Sequence, residues 1–283
     1  PPNASSDAAQ PPVLFIDATD ELGLGGINST RVSFADVNAD GRPDAIVRTA
    51  DAYRIFLHTI DLARARVFWF AEVKGTTGLP KPQGGDCVVF ADIDNDGIAD
   101  AIVARSLDIN NPKFAAPEDQ PKETAWIKGN GDGTFALQFP IGSKKATTAC
   151  IAVGDVDRDG RLDLYLGNWY TQYGVTNEAF TNDLLVQSHE RTKAGFFNRV
   201  KLPEDDAKFD EEKDAAGRPT YGAIIINPAP TGNGAGEVGV LELNYGRRAN
   251  LLWMRTGAAA EGAFEDVGVA AGIDGDAIRH GKY

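Results

Sequence analysis

Val32–Val47 (VSFADVNADGRPDAIV), Val88–Val103 (VVFADIDNDGIADAIV) and Ile151–Leu166 (IAVGDVDRDGRLDLYL) are three versions of one pattern. Their leading aspartates, Asp36, Asp92 and Asp155, lie 56 and 63 residues apart. Internal self-similarity at such a period outranks local propensity in choosing a fold. A short apolar run enters each acidic turn and a second leaves it. A third motif follows in phase: Tyr53–Leu57 (YRIFL), Ala125–Lys128 (AWIK), Asn182–Val186 (NDLLV) and Asn250–Met254 (NLLWM). A fourth closes each period with phenylalanine, as Val67–Val73, Gly133-Thr-Phe135, Gly195-Phe-Phe197 and Phe264-Glu-Asp266-Val. Phe15-Ile-Asp17-Ala carries the same signature near the start.

Each period therefore holds four short strand-like runs. From Phe15 to Phe264 is 249 residues, about 62 for each of four periods. Four antiparallel strands per repeat predict the blades of a β-propeller, an all-β fold whose blades stack radially and leave few free edges. A solenoid is the competing repeat architecture, but its repeats are usually shorter. No ten-residue stretch shows helical apolar spacing, so helices are expected to be scarce. In the run entering each turn, Val32/Phe34, Val88/Phe90 and Ile151/Val153 alternate with small residues, as suits a crowded strand near a propeller axis.

The fourth period keeps its strands, Ile224–Asn227 and Val238–Leu243, but between them reads Pro228-Ala-Pro230-Thr-Gly-Asn-Gly-Ala-Gly236 in place of carboxylates. A blade without metal is expected there. Phe-type runs near both ends duplicate one another and cannot complete a shared blade. The chain is thus expected to be roughly half of a seven- or eight-bladed propeller, a closed four-bladed ring being the alternative. Residues 1–12 (PPNASSDAAQPP) read as a flexible tether and residues 13–283 as propeller repeats. Leu107–Glu123 and Leu202–Gly217 read as insertions between strands, the second a solvated acidic loop.

All three turns follow D-x-[DN]-x-D-G-x-x-D. Side-chain oxygens at positions 1, 3 and 5, a backbone carbonyl at 7 and a carboxylate at 9 make an oxygen cage for a hard cation, and flexible six- to eight-fold coordination selects Ca²⁺ over Mg²⁺. The predicted ligands are Asp36, Asn38, Asp40, Arg42 and Asp44; Asp92, Asp94, Asp96, Ile98 and Asp100; and Asp155, Asp157, Asp159, Arg161 and Asp163. Arg42, Ile98 and Arg161 would contribute carbonyls. About three Ca²⁺ ions are expected. Glycine at position 6 permits the left-handed backbone that folds the ligands inward. The closing carboxylate at position 9 and the flanking strands separate these turns from EF-hands. The turns hold eleven carboxylates, so three Ca²⁺ would bring the net charge of −13 to about −7.

That acidic balance, 28 basic side chains against 41 acidic, disfavours nucleic acid and anionic membrane surfaces as partners. No apolar run approaches the ~18 residues of a membrane span. Cys87 and Cys150, each five residues before a leading aspartate, cannot build a disulfide framework and read as buried small thiols, a bond between the two being the alternative. Histidine is too sparse for a histidine-built metal centre, and the GxSxG, HExxH and Walker patterns are missing. Trp169, Tyr170 and Tyr173 read as packing between blades, with stacking on a sugar or peptide as the alternative.

The repeats resemble the FG-GAP/VCBS class of calcium-binding propeller repeats, as in integrin α-chain head domains. Phe-x-Asp-Val…Gly-Ile, Asn-Leu-Leu and GDVDRDGRLDLYLGN are further similar to the cartilage-acidic-protein-like (ASPIC/UnbV-associated) propellers. The likeness implies an acidic loop between the first two strands of a blade, bound Ca²⁺ at the fifteen positions above, and an extracellular, cell-surface or periplasmic location. The expected function is a recognition or adhesion module for a protein or carbohydrate ligand. A lyase-like carbohydrate-active enzyme on the same scaffold, or a purely structural part of a surface protein, are the alternatives.

Overall fold

The computed structural model describes residues 15–60, 68–82, 86–105, 123–188, 196–206, 217–227, 238–245, 248–256 and 263–274. The tether expected at residues 1–12 and most of the 107–123 insertion lie outside them.

Four four-stranded antiparallel sheets follow one another along the chain, each a simple meander. Blade one is β1 (Arg31–Ala35), β2 (Asp44–Arg48), β3 (Tyr53–Thr59) and β4 (Trp69–Glu72). Blade two is β5 (Cys87–Ala91), β6 (Asp100–Ala104), β7 (Ala125–Gly129) and β8 (Phe135–Pro140). Blade three is β9 (Thr148–Gly154), β10 (Asp163–Asn168), β11 (Asp183–Gln187) and β12 (Phe197–Val200). Blade four is β13 (Thr220–Ile226), β14 (Gly239–Asn244), β15 (Leu251–Thr256) and β16 (Ala263–Asp266). The chain is all-β, arranged as part of a β-propeller. Described helix amounts to α1 (Gly268–Ala271) and a 3₁₀ turn at Pro203–Asp206. No helix among the described residues is long and apolar enough to cross a membrane.

The second strand of each meander has neighbours on both sides, and its middle is mostly apolar. In β2, β6 and β10 nearly every residue is buried. Alternate residues of these strands feed two separate cores, because successive side chains point to opposite faces. Ile46 and Ile55 of blade one meet Ala101, Val103 and Ile127 of blade two. Ile102 and Trp126 of blade two meet Leu164, Leu166 and Leu185 of blade three. Tyr165 and Leu184 of blade three meet Val240, Leu251 and Trp253 of blade four. Among the described residues no core cluster joins blade four to blade one. The first strands β1, β5, β9 and β13 are successive neighbours along the common axis.

Two expectations fail locally. Phe15–Asp17 forms no strand, and Phe15 is 90% exposed. Asp17 instead accepts the Thr19 amide at 3.0 Å, opening a turn from which Leu22, Leu24 and Ile27 cover the outer face of blade one. The Leu202–Gly217 segment is not wholly solvated either. Leu202 and Glu204 are buried at its start, and Asp205 pairs with Lys144 and Arg199 before the segment leaves the described residues.

Candidate metal-binding loops

The three acidic loops join the first and second strands of blades one to three and share one hydrogen-bond plan. The leading aspartate accepts two loop amides: Asp36 those of Asp40 and Gly41 at 3.0 and 2.7 Å, Asp92 those of Asp96 and Gly97 at 2.9 and 2.8 Å, Asp155 those of Asp159 and Gly160 at 3.1 and 2.9 Å. The position-5 carboxylate accepts the position-7 amide in each, from Arg42, Ile98 and Arg161 at 3.0, 2.9 and 2.8 Å. Gly41, Gly97 and Gly160 take the left-handed conformation expected of position 6, at φ 81°, 89° and 85°. Position 4 is left-handed as well, at Ala39, Asn95 and Arg158, with φ 57°, 58° and 65°. For a residue with a Cβ that costs about 1–2 kcal/mol, which the charged amide–carboxylate bonds offset.

The position-9 aspartates are the most buried. Asp44, Asp100 and Asp163 are fully enclosed, and each pins the loop to the far end of the third strand. One oxygen accepts the position-2 amide, from Val37, Ile93 and Val156 at 3.0, 3.2 and 2.7 Å. The other accepts the amides of His58, Gly129 and Gln187 at 2.7, 2.8 and 2.9 Å. Burial raises all three carboxyl pKa values, Asp163 to about 7, against the lowering effect of those amides.

Three carboxylate oxygens converge to within 4.8 Å of one another in two loops, from Asp92, Asp94 and Asp100 and from Asp155, Asp157 and Asp159. Among the described residues the first loop forms no such trio. Asn38 replaces one carboxylate there, and the Arg42 guanidinium binds Asp40. In the second loop the Lys128 ammonium lies against Asp94 and Asp96. Burial works against that charge, but the two carboxylates outweigh it and hold the Lys128 pKa above its usual range.

The donor set fits a hard divalent cation. It is all oxygen and mostly anionic, and Asp94 Oδ1 is buried with no hydrogen-bond partner among the described residues. Lys128 and the side chains of Arg42 and Arg161 went unpredicted as parts of the site. Arg42 Nε donates to the His58 carbonyl at 3.1 Å, near the end of β3, and Arg161 Nη1 to that of Ser188 at 2.5 Å, just past β11. The loops also lace the blades together: Asn95 Nδ2 donates to the Gly160 carbonyl at 3.3 Å, Gln187 Nε2 to that of Ile93 at 2.9 Å, and Arg255 Nη1 to that of Asp157 at 3.1 Å. The fourth blade's loop lies outside the described residues.

This geometry, an acidic turn between the first two strands of a four-stranded blade, agrees with the sequence family it matches. Residues 114–166 match the FG-GAP-like repeat. That stretch of about 50 residues runs through β7, β8 and β9 and takes in the whole Asp155–Asp163 loop. No curated protein sequence matches the chain. Two solved structures are similar at low identity. One is an Agrocybe aegerita lectin described as recognising non-reducing terminal N-acetylglucosamine, 16% identical over 88% of this chain and 68% of its own, with a TM-score of 0.38. The other is the exotype rhamnogalacturonan lyase YesX, 10% identical over 83% of this chain and 55% of its own, with a TM-score of 0.36.

At the opposite end of the blades, asparagines do the work that aspartates do here. Asn182 Oδ1 accepts the Asn168 amide at 2.7 Å and Asn250 Oδ1 accepts that of Asn244 at 3.0 Å. These are the asparagines of the Asn-Asp-Leu-Leu and Asn-Leu-Leu motifs. Cys87 and Cys150 are free thiols on the inner strands β5 and β9. Burial raises their pKa values to about 11 and about 12, and Cys150 is raised further by Cys87. A cavity of about 220 Å³ lies between blades one and two, lined by Arg31, Arg48, Tyr53 and Asp86 among others.

Proposed function

We propose that the chain is a calcium-braced β-propeller module for recognition or adhesion, working at the cell surface, in the periplasm or outside the cell. The observation that carries this reading is the in-phase recurrence of one loop plan, with three carboxylate oxygens drawn together in two of its copies. Asp92, Asp94, Asp96, Asp100 and the Ile98 carbonyl would hold one ion; Asp155, Asp157, Asp159, Asp163 and the Arg161 carbonyl a second. Asp36, Asn38, Asp40, Asp44 and the Arg42 carbonyl would hold a third, weaker one. A bound cation supplies positive charge where carboxylates otherwise repel, and so ties the first two strands of each blade together.

Thermal melts in calcium and in chelator test the brace. Calcium should raise the midpoint, and Asp94→Ala should lower it in calcium while leaving the chelated protein nearly unchanged. Equal losses in both conditions would remove the metal role.

The cavity between blades one and two favours a second reading, a carbohydrate-active enzyme of the lyase kind, since Arg31, Arg48 and Tyr53 converge there. Polysaccharide cleavage that is abolished by Arg48→Ala would establish it.

A further inference from the structure

Five aromatic rings gather at the end of blades three and four that faces away from the acidic loops. Trp169 is the hub. Its ring lies 5.3 Å from Tyr170, 5.9 Å from Tyr173, 5.7 Å from Tyr221 and 5.2 Å from Tyr245, centroid to centroid. Tyr170 and Tyr173 are also 5.6 Å apart, and Tyr221 stacks on Tyr245 at 6.3 Å with 30° between planes. This is not an interior cluster. Trp169 and Tyr170 are half-buried, but Tyr173, Tyr221 and Tyr245 are 58%, 70% and 46% exposed.

The rings are held in place from three directions. Trp169 and Tyr170 leave β10 into an excursion closed by a bridge between Tyr170 and Ala179. Within it the Thr171 amide donates to the Glu178 carbonyl at 2.9 Å and that of Phe180 to Trp169 at 3.0 Å. Tyr221 sits at an irregularity in the β13–β14 register, and the Tyr245 amide donates to the Pro219 carbonyl at 2.8 Å. Beneath them lies a satisfied polar layer. Thr148 Oγ1 donates to Asn168 Oδ1 and Asn182 Nδ2 to Thr220 Oγ1, each at 2.9 Å. Rigid aromatic side chains on a fixed scaffold lose little entropy on binding and present large flat contact areas.

The chemistry of the patch selects among occupants. All five rings are tyrosine or tryptophan, so each exposed plane adjoins a hydroxyl or indole N–H. That pairing of apolar face and polar edge suits a pyranose ring, whose C–H face stacks and whose hydroxyls need partners. A net charge of −13 opposes acidic sugars. We propose that Trp169, Tyr170, Tyr173, Tyr221 and Tyr245 form a platform that binds neutral oligosaccharides. The proposal deepens, and rests on, the recognition-module reading, to which it adds a ligand class and a face.

The test uses the folded, calcium-loaded chain on an array of uncharged gluco-, xylo-, manno- and N-acetylglucosamine oligosaccharides. The same array carries their uronic-acid counterparts and unglycosylated polypeptides. Binding to at least one neutral series is expected, weakened about fivefold or more by Tyr221→Ala and by Tyr173→Ala. Phe196→Ala, at a 60% exposed ring elsewhere, should leave it unchanged. Both tyrosines are exposed, so their removal spares the core, and a melt of each variant confirms the fold. The platform is overturned by no retention of any neutral glycan, by binding that both tyrosine variants keep, or by capture of polypeptide or acidic glycan through these rings instead. Calcium-raised melting without glycan binding sinks the platform alone. Glycan binding with no effect of calcium on melting sinks the calcium brace alone.

Discussion

Replacing Asp163 by alanine separates two roles that one carboxylate performs. Its oxygens accept the buried amides of Val156 and Gln187 at 2.7 and 2.9 Å, joining the third loop to the end of β11. Without the side chain both N–H groups lose their acceptor. Each orphaned buried donor costs about 1–3 kcal/mol, so the gross loss is about 2–6 kcal/mol. Part is returned in chelator near neutral pH, because burial has raised this carboxyl to about 7 and its ionisation there is itself unfavourable. A net loss of about 2–4 kcal/mol is expected without metal. At about 2–4 °C per kcal/mol, that is a fall of roughly 4–16 °C in the thermal midpoint. Calcium should widen the gap between variant and parent. Asp94→Ala provides the contrast: its carboxylate meets a partly exposed Lys128 ammonium, so in chelator the loss should stay below about 1 kcal/mol. Circular dichroism melts of the parent and both variants, with and without calcium, read out all four differences. If Asp163→Ala melts within 1 °C of the parent in chelator, position 9 is not a clamp and the loop reasoning fails.

Glu204 is buried against Glu242 and its pKa is pushed up to about 8. The fold therefore holds a proton that the unfolded chain releases at ordinary carboxyl pH, so stability from this group falls as pH rises from about 4.5 through 8. Glu204→Gln should flatten that decline in pH-dependent denaturation curves. Thiols raised to about 11 and about 12 stay protonated at neutral pH, so a disulfide reagent should titrate Cys87 and Cys150 slowly in the native protein and rapidly in denaturant. A Cβ on Gly167 would meet Cys150 Sγ at 2.3 Å and Thr220 Cγ2 at 2.7 Å, so Gly167→Ala should cost about 1–3 kcal/mol in denaturant unfolding, partly restored by adding Cys150→Ala. Lys128→Met should tighten calcium binding in titration calorimetry, since the ammonium that lies against Asp94 and Asp96 no longer competes for them.

The blade order and the strand count were legible because the repeat writes them again and again, in three acidic turns, four aliphatic runs and four closing phenylalanine runs. A matching signature alone was not enough near the start of the chain. Phe15–Asp17 has the letters of a closing strand, but Asp17 spends its side chain on the Thr19 amide and the chain turns away. The ligand positions of the loops were visible in sequence; their counter-cations were only partly so. Arg42 and Arg161 stood inside the motif, read for their carbonyls alone, whereas Lys128 stands 32 residues beyond Asp96 on β7. Nothing local joins Trp169 to Tyr221 and Tyr245 either. Their meeting depends on the ends of blades three and four coming together, which is tertiary information.

The two ends of the blades meet one requirement with opposite chemistry. A strand that turns back leaves amides needing acceptors in a buried place. At one end aspartates accept them, and the charge this buries, raised pKa values included, makes a cation favourable. At the other end Asn182 and Asn250 accept equivalent amides without charge. In blade four Asn250 and Asp266 hold the same end, Asp266 Oδ1 accepting the Leu252 amide at 3.1 Å, and the buried Glu242 takes the Trp253 indole N–H at 3.0 Å and the Tyr165 hydroxyl. The Tyr165 bond reaches across from blade three, so the fourth blade is fastened to its neighbour. The exposed aromatic rings lie at the end away from the eleven loop carboxylates, whose field therefore reaches an uncharged ligand there only weakly.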